Sequence, residues 1–473
     1  MATTSSVSAS GGLDVQGLVS QLMTLERQPI DKLNTQVNNY QTKISSFGTL
    51  SSLVSSLQTS LQTLSSNFEG YTATPSDAGV FSSAATNQAA AGSYTLDVAN
   101  LARAQSLVAT GQTSSTAAIG DGTPTTITFD FGTISGGTLT AGAYSGASFA
   151  TNGSGTKTVT IDGTNNTLQG IRDAINTAKI GVTASIVNDG SGTPYRLVLN
   201  SEKSGVSNSL KITTSGGDGT IDALLANDPE GVQHLNQTAA AQNANFTVNG
   251  IAVTSASNTV TDAIQGVTLT LSKPTTTQAN LTVTRDTAAV KTAVTGFVDA
   301  YNALVNQLKS RSAYGSSDSA NKPALAGDGT VRLMLDQLRG VLSTGTSGGT
   351  LTSMAEVGIT TKADGSLKLD TAKLNSAMEK DFADVANLFT SATGYSTRLK
   401  AWAETTLAAD GLIDTRTKSL NTSIRGYNDQ ISKLEVRMTT LKKQYTKTYS
   451  ELNVLLSNMS STSSYLTQQL ARL

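Results

Sequence analysis

The stretch LNTSIRGYNDQISKLEVRMTTLKKQY, Leu420 to Tyr445, places Leu420, Ile424, Tyr427, Ile431, Leu434, Met438, Leu441 and Tyr445 at alternating steps of four and three. That alternation keeps one apolar seam on one side of a helix, facing a partner helix. The stripe continues through Leu452, Leu455, Met459, Leu466 and Leu470, with Thr448 and Thr462 at seam positions where an aliphatic is expected. A matching stripe lies near the start: Ile30, Leu33, Val37, Tyr40, Ile44 and Phe47, then, after a slip at Gly48, Leu50, Val54, Leu57, Leu61, Leu64 and Phe68. The two ends are therefore expected to pair with each other or with neighbouring chains. An ordinary antiparallel helix pair within one subunit is the bland alternative. The extreme ends, Leu13–Leu25 and Leu452–Leu473, are too polar on their outer faces for that to suffice, and are expected to contact other chains.

Working outward, residues 1–12 are Ser, Thr, Ala and Gly with one Val and read as disordered. A short amphipathic piece follows, with Leu13, Leu18, Val19, Leu22 and Leu25 on it and Asp14 in its first turn. Pro29 removes a backbone donor, so the spacing predicts a break there and a second helix from about Asp31 to Asn67. That second helix has no charge from Ile44 to Phe68, and its Ser, Thr, Gln and Asn are mediocre helix formers. It needs packing to hold. The candidate partner-binding seams are Leu13, Leu18, Leu22, Leu25, Ile30, Leu33, Val37 and Tyr40 at one end, and Leu441, Tyr445, Leu452, Leu455, Met459, Leu466 and Leu470 at the other.

Between the stripes the period falls to two. Strands are expected at Ser93–Val98, Thr125–Phe131, Thr158–Ile161, Thr183–Val187, Arg196–Leu199, Asn245–Val248, Val267–Leu271 and Ala279–Thr284. Asp121-Gly122, Asp162-Gly163, Asp189-Gly190 and Asn249-Gly250 read as hairpin turns. A faint repeat runs Asp162-Gly163, Asn166, Asp173-Ala174-Ile175, Gly181-Val182-Thr183, and again Asn249-Gly250, Asn258, Asp262-Ala263-Ile264, Gly266-Val267-Thr268. It suggests two related strand–helix–strand units, hence two β-rich domains, one inserted in the other. Past Asp286 the helical period returns at Val290–Leu308, Val331–Leu342, Asp384–Phe389 and Leu399–Leu407, with a hairpin turning at Asp364-Gly365. The fold class is α+β and multidomain.

The side-chain inventory narrows the chemistry. There is no cysteine, which excludes disulfides, thiolate metal sites and cysteine nucleophiles. Any metal site would rest almost on carboxylates alone, so no cofactor or metal is expected. The one histidine, His234, lacks a recognisable nucleophile and reads as a surface or loop residue. Ser215-Gly216-Gly217-Asp218-Gly219 has no GK[ST] after it and reads as a β-turn. The stretch Arg416–Lys447 is basic, but Tyr427 and Tyr445 sit on its apolar seam, so it reads as a solvated helix face instead of a nucleic-acid surface. Net charge is −1 and charged residues are 14 % of the chain, so nothing draws the whole molecule to nucleic acid or an anionic membrane. No secretory signal and no apolar run of transmembrane length is evident, which fits a cytoplasmic protein or one exported unfolded without a cleaved signal.

The ending Leu452-Asn453-Val454-Leu455-Leu456-Ser457-Asn458-Met459 through Tyr465-Leu466-Thr467-Gln468-Gln469-Leu470 resembles that of the flagellar hook-associated protein 2 family. So do Ser10-Gly11-Gly12-Leu13-Asp14-Val15, Gly266-Val267-Thr268-Leu269-Thr270-Leu271, Phe297-Val298-Asp299-Ala300-Tyr301-Asn302 and Leu325-Ala326-Gly327-Asp328. Asn166–Val187 resembles a strand–helix motif of flagellins and hook proteins. Residues Gly111–Lys157 carry no family hallmark.

The resemblance implies a terminal coiled-coil leg from 1–42 and 436–473, flexible in the free protein, and a helical inner domain from 43–76 and 288–435. It implies a β-rich head domain from 77–110 and 240–287, with an outer one, 111–239, inserted in it. The implied function is a non-enzymatic cap at the distal end of the bacterial flagellar filament. Such a cap is a homo-oligomeric ring under which exported flagellin folds and inserts without leaking away. Implied partners are further copies of itself, flagellin, hook–filament junction proteins and an export chaperone, with no nucleic acid and no membrane insertion. Export through the flagellar type III system would place it outside the cell. The alternatives are another axial protein of the flagellum, or a host-glycan adhesin acting through the head.

Overall fold

The structure is a computed structural model that describes residues 13–313 and 323–471; the expected disorder of residues 1–12 lies outside the described residues. The chain divides into two compact units, one from the two ends (residues 1–68 and 287–473) and one from the middle (69–286).

The first unit opens with helix α1, Val15–Asn67, capped by Asp14, whose carboxylate accepts the Gly17 N–H at 2.9 Å. This is one continuous helix, so the expected break at Pro29 does not occur. Proline removes a single donor, the one that would reach the Leu25 carbonyl. Pro29 and Leu25 are both exposed, leaving that carbonyl open to water, while Ile30 beside them is 1 % exposed. Pro29→Ala is expected to raise the opening free energy of residues 15–33 by about 1–3 kcal/mol, read as slower amide exchange there. Unchanged exchange would show that Pro29 costs the helix nothing.

The uncharged half of α1 owes its helical form to packing. Its hydroxyls bond back one turn, as Thr49, Ser52, Ser56, Thr59 and Ser65 do to carbonyls four residues earlier, which satisfies them without strengthening the helix. Its seam, from Phe47 to Phe68, lies inside the core of the unit.

In the middle unit the chain forms β1 (Tyr71–Pro75), β2 (Phe81–Ala85) and β3 (Gly92–Asn100). Next come β4 (Ser106–Val108), β5 (Thr125–Thr140), β6 (Ala143–Thr151), β7 (Lys157–Ile161), helix α2 (Leu168–Ala178), β8 (Val182–Asn188), β9 (Tyr195–Ser201), β10 (Ser209–Gly216), helix α3 (Thr220–Leu225) and β11 (Asn236–Ala239). It then returns through β12 (Ala244–Val248), β13 (Ile251–Ser255), β14 (Thr259–Ile264), β15 (Val267–Leu271) and β16 (Ala279–Arg285). Two separate cores result. Ala73–Ala102 and Ala244–Val283 supply one, between a five-stranded sheet β1-β16-β3-β12-β13 and a three-stranded sheet β14-β15-β2. Leu107–Leu235 supply the other, with sheets β10-β5-β6 (β7 also pairing β5) and β11-β4-β9-β8. The second core is inserted in the first, because the chain leaves at Ala102 and comes back at Ala244.

Two expectations fail here. Only the first repeat contains a helix: Asp173-Ala174-Ile175 lies on α2, whereas Asp262-Ala263-Ile264 lies on β14. The interval from Asn166 to Gly181 accommodates three helical turns. The interval from Asn258 to Gly266 is about half as long and opens on Thr259-Val260-Thr261, which favours a strand. Of the four supposed hairpin turns, Asn249-Gly250 is a two-residue turn with both residues at positive φ (50° and 79°), and Asp189-Gly190 lies in the β8–β9 loop. Asp162-Gly163 instead leads from β7 to α2, and Asp121-Gly122 sits in the loop before β5.

The first unit resumes with α4 (Thr287–Ser312), α5 (Gly329–Ser343), the hairpin β17 (Ile359–Thr361) and β18 (Leu367–Leu369), α6 (Thr371–Lys380), α7 (Phe382–Thr390), α8 (Tyr395–Leu407) and α9 (Leu412–Leu470). Phe297, Tyr301 and Leu304 of α4 pack with Leu57, Leu61 and Leu64 of α1 in one apolar cluster; burial pushes the Tyr301 phenol up to about 12. Within it, Leu325-Ala326-Gly327-Asp328 acts as a joint. Leu325 fills the core, Gly327 turns at φ 74°, and Asp328 caps α5 through the Thr330 N–H. The Asp328 side chain is 2 % exposed and accepts from Arg416 Nε at 3.0 Å and from an Arg416 terminal nitrogen at 2.8 Å, which pins the base of α9.

Candidate functional site

The two seams meet where α1 and α9 run side by side. Only Val19 and Ile30 of α1 below Ser46, and Met438 of α9 beyond Leu420, are fully buried. The rest of the contact is polar or half-buried. Arg27 donates to Glu435 at 2.8 Å, but both side chains are about half exposed, so screening leaves the pair worth at most about 1 kcal/mol. Tyr40 stacks on Tyr427 with ring centroids 5.7 Å apart. The neighbouring Tyr40 hydroxyl raises the Tyr427 phenol above its ordinary value. The Tyr445 hydroxyl donates to Glu26 at 3.3 Å. Desolvation against α1 and then the Glu26 charge push that phenol up as well. At the far end the Leu13 N–H donates to Asn453 Oδ1 at 2.8 Å.

Of the N-terminal seam residues, Ile30 is buried, and Leu13, Leu18, Leu22, Leu33, Val37 and Tyr40 are half-buried. Leu25 is 61 % exposed, on the solvent side with Pro29. Of the C-terminal set, Leu441 and Tyr445 are half-buried along α1. Leu452, Leu455, Met459, Leu466 and Leu470 are exposed, as are Val454, Leu456 and Tyr465. Thr448 is exposed too: the contact line steps from Tyr445 through Tyr449 to Asn453, so Thr448 lies off the seam position expected for it. Val19, Tyr449 and Asn453 are contacts absent from the candidate set. Val19 carried an apolar signal; Asn453 carried none, because a polar residue scores against a seam.

Beyond Asn453, then, α9 extends about 25 Å further as a helix with no charged residue from Leu452 to Ala471 and an apolar surface that the described residues leave uncovered. Elsewhere, His234 is half-buried with its backbone N–H on the Ala226 carbonyl, and Asp218 caps the loop from β10 to α3 by accepting the Thr220 and Asp121 N–H groups. Among the described residues no three His, Asp or Glu side chains gather closely enough to hold a metal ion, and no helix is long and apolar enough to cross a membrane.

Paired terminal helices with an uncovered end and a nested β-rich insertion define a multidomain α+β chain. The family model for the flagellar hook-associated protein 2 N-terminus matches residues 11–105, that for its C-terminus residues 241–461, and that for the flagellin hook IN motif residues 148–203. Flagellar hook-associated protein 2 of Escherichia coli is 36 % identical over 488 aligned positions, covering 99 % of this chain and 98 % of that protein. The B-type protein of Pseudomonas aeruginosa is 32 % identical over 98 % of this chain and 97 % of its own. Among solved structures, a three-domain form of the flagellar cap protein FliD from Escherichia coli superposes with a TM-score of 0.66 at 33 % identity, over 80 % of this chain and 99 % of that one. The chain belongs to the flagellar hook-associated protein 2 family.

Proposed function

We propose that this chain is a structural, non-catalytic cap at the distal end of the bacterial flagellar filament. The observation that carries the reading is the uncovered apolar end of α9, in a chain aligned end to end with hook-associated protein 2 relatives. Copies of the chain form a ring. Flagellin delivered through the filament folds beneath it and inserts, and the ring prevents its loss to the medium. The β-rich residues 69–286 act as the head, with 111–239 as its outer part. Residues 43–68 and 287–435 act as the helical body. Residues 1–42 and 436–473 act as a leg that exchanges partners at the filament end, using Leu13, Leu18, Leu22, Leu33 and Val37 with Leu452, Leu455, Met459, Leu466 and Leu470. A contact made largely of half-buried and polar groups suits that exchange, because a dry zipper would be slow to release. Before assembly the bare end needs cover, which an export chaperone provides, and the chain leaves the cell through the flagellar type III system. Once outside it sits at the flagellar tip, having replaced contacts with hook–filament junction proteins by contacts with flagellin.

The test is a strain lacking this gene, viewed by electron microscopy with flagellin measured in the medium. Short or absent filaments with abundant secreted flagellin, both reversed by the full chain, are the expected result. Filaments of normal length without it would end the reading.

A further inference from the structure

The basic stretch of α9 acquires a geometry that its sequence did not reveal. At about 100° per residue, Arg425, Lys433, Arg437, Lys443 and Lys447 fall within an arc of about 120° on α9. That arc faces away from the stripe Leu434, Met438, Leu441 and Tyr445 that packs on α1. All five cations are exposed. Lys433, Arg437 and Lys443 form no ion pair among the described residues, and Lys447 has only Glu451 at 3.9 Å. Asp429 and Glu451 are the acids on this face. Val436, 70 % exposed, lies in its middle.

This arrangement costs the helix something. Lys433 with Arg437, and Lys443 with Lys447, are like-charge pairs four residues apart, which destabilise a helix. Asp429 and Glu451 offset only part of it, and the imbalance extends to the whole unit: residues 1–68 and 287–473 carry 24 Lys and Arg against 19 Asp and Glu, while the middle unit carries 9 against 15. The positive face thus belongs to the same unit as the bare helical end, and runs about 33 Å along one rigid helix.

We infer that this outer face of α9 is an electrostatic docking surface for an acidic protein surface presented at the filament end. The inference rests on the capping reading and adds a second contact face to the apolar one. A protein partner fits better than nucleic acid or membrane, because the arc contains an exposed apolar side chain and two acids and has no aromatic for stacking bases. Charges of this kind act on encounter rate and register more than on final affinity.

The experiment uses the full chain and filaments from the cap-less strain, with attachment to filament ends timed at about 50 mM and about 300 mM NaCl, where the screening length drops about twofold or more. The parent chain is expected to attach about tenfold more slowly at the higher salt. The variant Lys433→Gln, Arg437→Gln, Lys443→Gln, Lys447→Gln is expected to attach slowly at both, with less than a twofold difference. Its helicity and thermal midpoint should match the parent, since the sites are exposed and glutamine is a good helix former. A variant that keeps the parent's salt dependence overturns the inference, as does tighter binding of the parent to duplex DNA or phosphatidylserine vesicles than to filament ends. Failure of the parent to attach at either salt concentration refutes the capping reading itself, and the inference with it.

Discussion

Replacing Leu452, Leu455, Leu466 and Leu470 together by serine is expected to leave the fold intact and abolish filament growth. These side chains are 39, 57, 55 and 71 % exposed, so the free chain gains little from them. On docking to a neighbour each would bury apolar surface worth about 1.5–3 kcal/mol, about 6–12 kcal/mol for the four. Losing that weakens association by four orders of magnitude or more, because about 1.4 kcal/mol is a factor of ten. Helicity and thermal midpoint of the purified variant are expected to stay within error of the parent, while a cap-deleted strain carrying it secretes flagellin without building filaments. Normal filaments would show that the bare end of α9 is not the assembly surface. A collapse in stability would show that it is covered in the free protein.

The second large effect lies at the joint of α5 and α9. Asp328→Ala removes the cap on α5 and strips Arg416 of its partner. Breaking a buried ion pair costs about 3–5 kcal/mol. Arg416 is 34 % exposed and can turn to water, which lowers the expected loss to about 2–4 kcal/mol. For a unit of this size that is a fall in thermal midpoint of about 4–16 °C. Asp328→Asn keeps an acceptor for the Thr330 N–H and is expected to lose about half as much. Calorimetry of the two variants separates cap from ion pair. A midpoint unchanged in Asp328→Ala would mean that Arg416 holds α9 through no net free energy.

The paired terminal helices α1 and α9 give the clearest measure of what a sequence can reveal. The heptad stripe from Leu420 to Tyr445 could be read directly, because a four-three alternation has no other stable use than a helical seam. The strands from Ser93 to Thr284 were legible where β-branched residues alternate. Those missed were short or of low hydrophobicity, such as β11 (Asn236–Ala239) and β6 (Ala143–Thr151), whose existence depends on the strands beside them. Pro29 was misread because local chemistry predicts a break, yet the loss is one hydrogen bond on a solvent-facing turn.

Periodicity, composition and the absent cysteine therefore established by themselves that this chain has pairing helical ends, a β-rich middle and no thiol chemistry, while the nesting of one β-rich core in the other was shown by the structure. They did so because backbone geometry translates residue spacing straight into a buried face. Which part of each stripe is covered was decided only in three dimensions. Met438 is buried while Met459 is 61 % exposed, although both occupy the same stripe, because α1 begins beside Asn453 and offers nothing further to pack against. The five cations of α9 likewise form one face only once the helix is known to be unbroken and its opposite side occupied. Burial depends on the neighbour, and one residue's place in the chain does not name the neighbour.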